Sequence, residues 1–224
     1  MIDLHTHTLF SDGELIPSEL ARRAKDIGYR AIAFTDHVDF SNMAFVIENV
    51  RRATEGLEQY FGLYVFAGVE ITHVPPELIP ESIELARRLG AQIVVVHGES
   101  PVEPVAKGTN RAAILGRCDI LAHPGLISFE DAKLAEENGV YLEISARSGH
   151  SFTNGHVFRM AKKANAKYLL NTDTHSPNNL ITTEFARVVL KGSGMSDEEV
   201  SEAFKNSEEL LDKLLKRRYD EKNF

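Results

Sequence analysis

The sequence predicts an α/β fold: a single-domain, TIM-like barrel of seven parallel strands, (β/α)7. Short apolar runs rich in β-branched residues alternate with longer amphipathic segments along almost the whole chain, which is typical of βα units around a parallel sheet. The 224 residues suffice for one such barrel and are few for two enzymatic domains. No internal repeat, Gly/Ser linker or low-complexity tract divides the chain, so we expect one domain over residues 1–224.

The individual elements follow from this alternation in chain order. Strands are predicted at residues 2–5, 31–35, 63–69, 92–96, 120–122, 140–144 and 168–171. Helices are predicted at residues 17–27, 42–61, 80–89, 106–115, 128–137, 153–164, 180–190 and 196–216, the last two within a C-terminal helical region 180–217. An open doubly wound sheet is the competing architecture. It would favour a Gly-rich phosphate loop after its first strand, and HTHTLFSDGE is not one.

Composition narrows the classes of function. The 25 Lys and Arg against 33 Asp and Glu give a net charge of −8, so no broad basic field exists for a nucleic-acid backbone, although a local basic patch stays possible. The single cysteine, Cys118, excludes an intrachain disulfide and a zinc ribbon. The amino terminus lacks signal-peptide features, and no segment approaches the roughly 20 apolar residues that span a bilayer. We therefore expect no membrane partner and a cytoplasmic location.

The histidines concentrate where predicted strands end. Nine are present, and six lie at or just beyond the carboxyl end of a strand: His5, His7, His37, His97, His123 and His175. In a parallel barrel these ends open onto one face, so residues far apart in sequence converge there. The distribution predicts a shared pocket.

The first strand carries a His-x-His pair. His5 and His7 are two residues apart and therefore point to the same side of the strand, where they can share one metal ion. Asp3 lies two residues before His5 on the same side of the strand, deeper in the barrel, so we expect it to orient a ligating imidazole. The next motif, TDH, adds Asp36 and His37, which taken alone would also suit a loop ion pair or a helix cap.

Later strands also end in residues that can bind metal ions. Glu70 ends the third strand, where a carboxylate is costly unless it is exposed, paired or ligating, and its length would let it bridge two ions. His97 and His123 each precede a turn residue, and either one alone could be a core histidine bonded to a carbonyl. In NTDTH, Asp173 and His175 share one face with Asn171 and could serve adjacent metal ions.

These motifs resemble one family. HTHTLFSDG, FTDH, GVE, VVHGE, LAHPG and NTDTHSP, in this order from Met1 to about Asn178, are similar to the polymerase-and-histidinol-phosphatase (PHP) family. The resemblance implies a distorted seven-stranded barrel and a histidinol-phosphatase-like phosphoesterase. It also implies two or three divalent ions per chain, commonly Zn, Mn or Fe.

The resemblance also implies a ligand set within motifs that span residues 3–178. The first ion would be held by His5, His7, Glu70 and Asp173, the second by Glu70, His97 and His123, and the third by Asp12, His37 and His175. Asp12 precedes a glycine, so it could equally be an ordinary turn residue. Glu70, Asp173 and His175 are the expected catalytic residues.

The expected reaction is hydrolysis of a phosphate ester by attack of a metal-bound hydroxide. Arg147, after the sixth strand, could clamp the phosphate through a bidentate guanidinium, or form a surface ion pair. Further residues near the rim could touch substrate or be structural: His73, Glu99, Lys107, His150 and His156.

The expected partner is a small phosphorylated substrate, with histidinol phosphate as one candidate. The alternative is a PHP-type nuclease or phosphodiesterase that acts on nucleotides or short oligonucleotides. The negative net charge and the short stretch after the barrel disfavour nucleic acid as a partner. A barrel amidohydrolase would usually add a metal-bridging lysine, and none stands at a strand end here. The oligomeric state stays open.

Overall fold

Parallel strands form a nearly closed barrel in the computed structural model, which describes residues 1–222. Over this part of the chain, seven strands follow one another around the barrel. In this order they are β1 (Ile2–Thr6), β2 (Ala31–Phe34), β4 (Tyr64–Ile71), β5 (Ile93–His97), β6 (Ile120–Ala122), β7 (Tyr141–Ser145) and β8 (Tyr168–Asn171). A two-residue strand, β3 (His37–Val38), pairs with the end of β4. The barrel and its seven strands confirm the predicted fold class.

The seam between β1 and β8 is closed partly by side chains. Near the carboxyl ends, the amide of Asp173 donates to the carbonyl of His5 at 3.0 Å, and the amide of His7 donates to the carbonyl of Thr174 at 2.8 Å. Deeper in the barrel, the amide of Leu4 donates instead to Oδ1 of Asn171 at 2.9 Å. These bonds place the metal-binding motifs of the first and last strands side by side.

The helices surround the barrel much as predicted. They are α1 (Pro17–Asp26), α2 (Met43–Thr54), α3 (Leu57–Phe61), α4 (Ile79–Arg88), α5 (Thr109–Leu115), α6 (Phe129–Asn138), α7 (Asn154–Ala164), α8 (Thr183–Gly192) and α9 (Asp197–Lys222). The prediction of a single helix over 42–61 is wrong, because this segment forms the two helices α2 and α3. Gly56 adopts a left-handed φ of 83° between α2 and α3, and this conformation interrupts the helix. None of the described helices is long and apolar enough to cross a membrane.

Helix α9 seals the amino-terminal end of the barrel. Its buried leucines pack against inward-facing residues of the strands, in a cluster that contains Ile2, Leu4, Ala31, Ala33, Phe66, Ile93, Val95, Ile120, Ala122, Tyr141, Leu169, Leu210, Leu211 and Leu214. Arg217 of the same helix binds the buried Asp119, just before β6, at 2.6 Å. The opposite, carboxyl-terminal end therefore remains as the mouth of the barrel.

This packing makes Leu211 a sensitive position. Leu211→Ala should lower the free energy of unfolding by about 2–5 kcal/mol, because it leaves a cavity where α9 meets the strands. Urea denaturation followed by circular dichroism measures the change. Leu115→Ala makes the same chemical change at an exposed position and should cost within about 0.5 kcal/mol. Equal losses in the two variants would contradict the role assigned to α9.

Candidate metal centre

The structure brings the predicted ligands together at the mouth of the barrel. Within residues 1–222, potential donor atoms fall into four overlapping groups, each with all its atoms within 4.8 Å of one another. The groups are His5/His7/Glu70, His5/His123/Asp173, His7/Asp12/His37/His175 and His97/His123/His150. Every ligand expected from the sequence belongs to at least one group. His150 is an addition.

Glu70 lies at the centre of these groups with its carboxylate fully buried. Its Oε1 is 3.3 Å from Nε2 of His5 and 3.6 Å from Nε2 of His123. Its Oε2 is 3.5 Å from Nε2 of His7 and 2.8 Å from Nδ1 of His37. Burial would raise the pKa of Glu70, but His5 and His37 outweigh it and hold that pKa well below the usual range. Glu70 is therefore an ionised carboxylate without direct access to water.

Among the described residues, neither oxygen of Glu70 accepts a hydrogen bond of good geometry, although Nδ1 of His37 lies 2.8 Å from Oε2. Oδ1 of Asp173 and Nδ1 of His123 are likewise buried without hydrogen bonds in that part of the chain. A buried charge is stable only when it is paired, hydrogen-bonded or bound to a metal ion. The unsatisfied oxygens, surrounded by imidazole nitrogens, therefore fit divalent cations. Nitrogen and oxygen donors without thiolates suit Zn, Mn or Fe.

His5 and His7 face each other through Nε2 atoms only 3.1 Å apart. Oδ1 of Asp173 lies 3.2 Å from Nε2 of His7 and 3.8 Å from that of His5. Burial raises the pKa of Asp173 to about 7 against the opposing influence of His5. These contacts place the residues of the first expected ligand set side by side, and a single ion shared by the two imidazoles stays a prediction.

The partner that orients His5 is Glu143, so the expectation for Asp3 is wrong. Nδ1 of His5 lies 2.7 Å from Oε2 of Glu143, to which Nδ2 of Asn171 also donates at 3.0 Å. Asp3 instead accepts hydrogen bonds from the amide and hydroxyl of Thr172. Strand parity placed Asp3 on the correct side of β1, but the side chain that reaches the imidazole comes from β7.

Asp12 joins His7, His37 and His175 at the outer edge of the centre. Its Oδ1 lies 3.1 Å from Nε2 of His175, 3.5 Å from Nε2 of His37 and 3.9 Å from Nδ1 of His7. With its side chain 58% exposed, Asp12 is the most open member of this group. Burial lowers the pKa of His37, but Glu70 outweighs it and raises that pKa to about 8. The group corresponds to the third expected ligand set.

The loop that carries Asp12 is held by the TDH motif. Asp36 accepts hydrogen bonds from the amide and hydroxyl of Thr8 at 2.7 and 2.8 Å and from the hydroxyl of Ser11 at 2.8 Å. Gly13 makes a close approach, since a Cβ there would lie 2.5 Å from the carbonyl oxygen of His7. The aspartate beside His37 therefore organises the loop of the neighbouring motif.

His97 and His123 are brought together by close contact between their loops. A Cβ at Gly98 would lie 2.3 Å from the carbonyl oxygen of Ala122, so only glycine permits this approach. The two imidazole rings meet edge-on with centroids 4.3 Å apart. His123 and Asp173 adopt positive φ values of 27° and 52°, a strained region for residues with side chains. Strain at two expected ligands is typical of a functional site.

The other candidate residues near the rim of the barrel make different kinds of contact. Glu99 is structural, because its Oε1 accepts the amides of Gly108 and Asn110 at the start of α5. His156 lies 2.8 Å from the carbonyl oxygen of Ile127 and belongs to none of the four groups of potential donors identified in the described residues. His73 contacts Glu103 at 3.4 Å. Glu103 was missed in the sequence, because it lies in an irregular loop six residues after His97.

Arg147 lies directly beside the centre. Its Nη1 is 2.7 Å from Nδ1 of His175 and donates to the carbonyl of Asp173 at 3.1 Å, while Nε is 3.5 Å from Oδ2 of Asp173. The guanidinium also borders a cleft of about 440 Å³ that is lined by Asp12, Glu14, Arg147, Ser148, His175, Ser176 and Asn179. A group bound in this cleft would contact both Arg147 and the centre.

Comparison with known sequences gives a consistent result. Residues 3–217 match the PHP domain. An uncharacterized protein from Methanocaldococcus jannaschii is 52% identical over 88% of this chain and 92% of its own length. A probable phosphatase from Thermoanaerobacter sp. is 28% identical over 88% of both chains. The Bacillus subtilis DNA polymerase/3′-5′ exonuclease PolX is 22% identical, over 78% of this chain but only 34% of its own length.

Solved structures share the fold at low sequence identity. A chain of archaeal ribonuclease P with mature tRNA superposes with a TM-score of 0.71 and 18% identity, covering 96% of this chain and 91% of that one. Histidinol phosphate phosphatase from Lactococcus lactis, in complex with zinc, L-histidinol and phosphate, superposes with a TM-score of 0.60 and 18% identity. The superposition covers 87% of this chain and 94% of that one.

The contact between Glu143 and His5 predicts how metal binding responds to mutation. Glu143→Gln preserves the shape of the side chain but removes its charge, so affinity for the ion at His5 should fall about 10- to 100-fold. Competition with a chromophoric chelator measures this affinity. Glu137→Gln, at an exposed position of α6, is the matched control and should bind like the unmodified protein. Unchanged affinity in Glu143→Gln would show that Glu143 does not support the metal site.

Proposed function

The chain belongs to the PHP domain family, and from this premise we propose that it hydrolyses a small phosphomonoester at a centre that holds two or three divalent ions. It is a metal-dependent phosphoesterase. What we propose is the class of its substrate and the number of its metal ions. The observation that carries the proposal is the position of Arg147. Its guanidinium contacts the buried Asp173 and borders an open cleft, where a phosphoryl group can meet both.

The chemistry divides between the ions and the chain. When bound, divalent ions act as Lewis acids that polarise phosphoryl oxygens and lower the pKa of water. Glu70 holds its negative charge between the histidine groups, so it would bridge two ions. The N–H groups of Arg147 can donate to two phosphoryl oxygens at once. Asp173 and His175 position Arg147 through the contacts described above, and they would bind ions on the side facing the cleft.

The scale of the cleft and the charge of the chain support a small monoester. The cleft of about 440 Å³ falls within the range of small-molecule sites. A net charge of −8 disfavours long nucleic acids. This chain is similar to a chain of ribonuclease P and to PolX, so the expectation that it does not act on nucleic acid stays a prediction. Cleavage of oligonucleotides is therefore included as an outcome of the test.

The experiment is a hydrolysis screen on full-length protein reconstituted separately with Zn²⁺, Mn²⁺ and Fe²⁺. We expect inorganic phosphate release from at least one monoester among histidinol phosphate, sugar phosphates and mononucleotides, and loss of this release on chelation. His5→Ala/His7→Ala should abolish turnover while retaining the circular dichroism of the barrel. Cleavage of short oligonucleotides without any monoester hydrolysis would overturn the proposed substrate class.

Arg147 provides a separate test of phosphate recognition. Arg147→Ala should lower kcat/KM roughly 100- to 1,000-fold with unchanged metal content, because a charged donor to the phosphoryl group is lost. Arg159→Ala, which removes an exposed arginine of α7, should leave kcat/KM unchanged. If Arg147→Ala hydrolysed the substrate as fast as the unmodified protein, the assigned role of Arg147 would be wrong.

A further inference from the structure

Two residues outside the ligand set implied by the family resemblance approach the second metal position. His150 begins the 3₁₀ turn after β7, is buried, and stacks on His123 with ring centroids 4.0 Å apart. Glu103 reaches the same point from the loop after β5, with its side chain 37% exposed. Both carry donor atoms that suit zinc, manganese or iron.

The orientation of the imidazoles indicates which nitrogen is available. Nδ1 of His97 lies 3.1 Å from the carbonyl oxygen of Gly98, which can only accept a hydrogen bond, so this nitrogen carries the proton. Nε2 is then the ring nitrogen that faces the centre. His150 is held by a different contact, because its Nδ1 lies 2.6 Å from the hydroxyl oxygen of the buried Ser100, which can donate or accept a hydrogen bond. Its Nε2 therefore also points inward.

These inward nitrogens face carboxylate oxygens. Nε2 of His97 is 3.2 Å from Oε2 of Glu103, and Nε2 of His150 is 3.5 Å from Oε1 of the same side chain. Nε2 of His150 is also 3.7 Å from Oδ2 of Asp173. Donor atoms of His97, His123 and His150 all lie within 4.8 Å of one another. One cation among them could therefore bind these imidazoles together with the Glu103 carboxylate.

We propose that His150 and Glu103 are ligands of the second metal ion, and that Ser100 fixes His150 in its ligating orientation. This inference rests on the proposed metal-dependent function and deepens it. The family set alone would supply three ligands to the second ion, Glu70, His97 and His123. His150 would add an imidazole, and Glu103 would add a carboxylate on the solvent side. The second ion should then be held more tightly than by the family set alone.

The test measures metal binding without any substrate. Metal-free, full-length protein is titrated with Zn²⁺ in competition with a chromophoric chelator, and elemental analysis counts the ions retained after gel filtration. His150→Ala should weaken one ion by more than the roughly 10- to 100-fold typical of losing a supporting residue, and Ser100→Ala should weaken the same ion within that range. Glu103→Gln should also weaken this ion. The remaining ions should keep their affinity.

Matched controls and a spectroscopic measurement separate ligation from a structural role. His156→Ala removes a histidine of α7 bonded to Ile127, and Glu77→Gln changes an exposed glutamate after β4. Both should bind ions like the unmodified protein. In the Co²⁺-substituted protein, His150→Ala and Glu103→Gln should each shift the visible d–d absorption, whereas the controls should not. If His150→Ala folds poorly, His150→Gln and Ser100→Ala supply the same comparison.

Unchanged Zn²⁺ affinity and an unchanged Co²⁺ spectrum in both His150→Ala and Glu103→Gln would overturn the inference. Failure of the proposed function gives a different result. A chain that loses an ion in these variants but hydrolyses no phosphomonoester would support the ligand assignment and refute the proposed substrate class.

Discussion

The burial of the Glu70 carboxylate constrains the rest of the centre. A fully buried, ionised carboxylate is unstable in a protein interior unless positive charge compensates it. The surrounding histidines can supply this charge in only two ways, by binding protons or by binding metal ions. The Nε2 atoms of His5 and His7 are too close for both of these nitrogens to carry protons, because the two N–H groups would then collide. Metal ions resolve both problems, which is why this arrangement of side chains indicates a metal centre.

The barrel supplies the rigidity that this arrangement requires. The ligands come from the ends of different strands, so their spacing depends on strand register, on the seam between β1 and β8 and on the loop contact at Gly98. His123 and Asp173 hold backbone conformations that cost of order 1–3 kcal/mol each. Such strain persists only where the surrounding structure fixes it. The sealing of the opposite end by α9 completes the packed interior beneath the centre.

Much of this organisation could be predicted from the sequence, because it depends on local periodicity. Alternating apolar runs located the strands, and strand parity placed His5 with His7. Asp173 and His175 also lie together, with Oδ1 and Nδ1 3.2 Å apart, although both follow the end of β8. Parity cannot say which neighbouring strand reaches across the barrel, and therefore it pointed to Asp3 of the same strand although the partner of His5 is Glu143 of β7. It also has no meaning in irregular loops, so Glu103 was missed and His150 remained one of several rim candidates. The break at Gly56 was hidden within a continuous amphipathic pattern.

The account predicts that metal ions bind on both sides of Glu70. The most direct measurement is an anomalous-difference map from crystals of the metal-loaded protein, collected above and below the absorption edge of the bound metal. Peaks within coordination distance of both Glu70 oxygens, flanked by the His5/His7 pair and by His97 with His123, are the predicted result. A fully loaded protein with no peak beside Glu70, or with its ions only at surface carboxylates, would contradict the account.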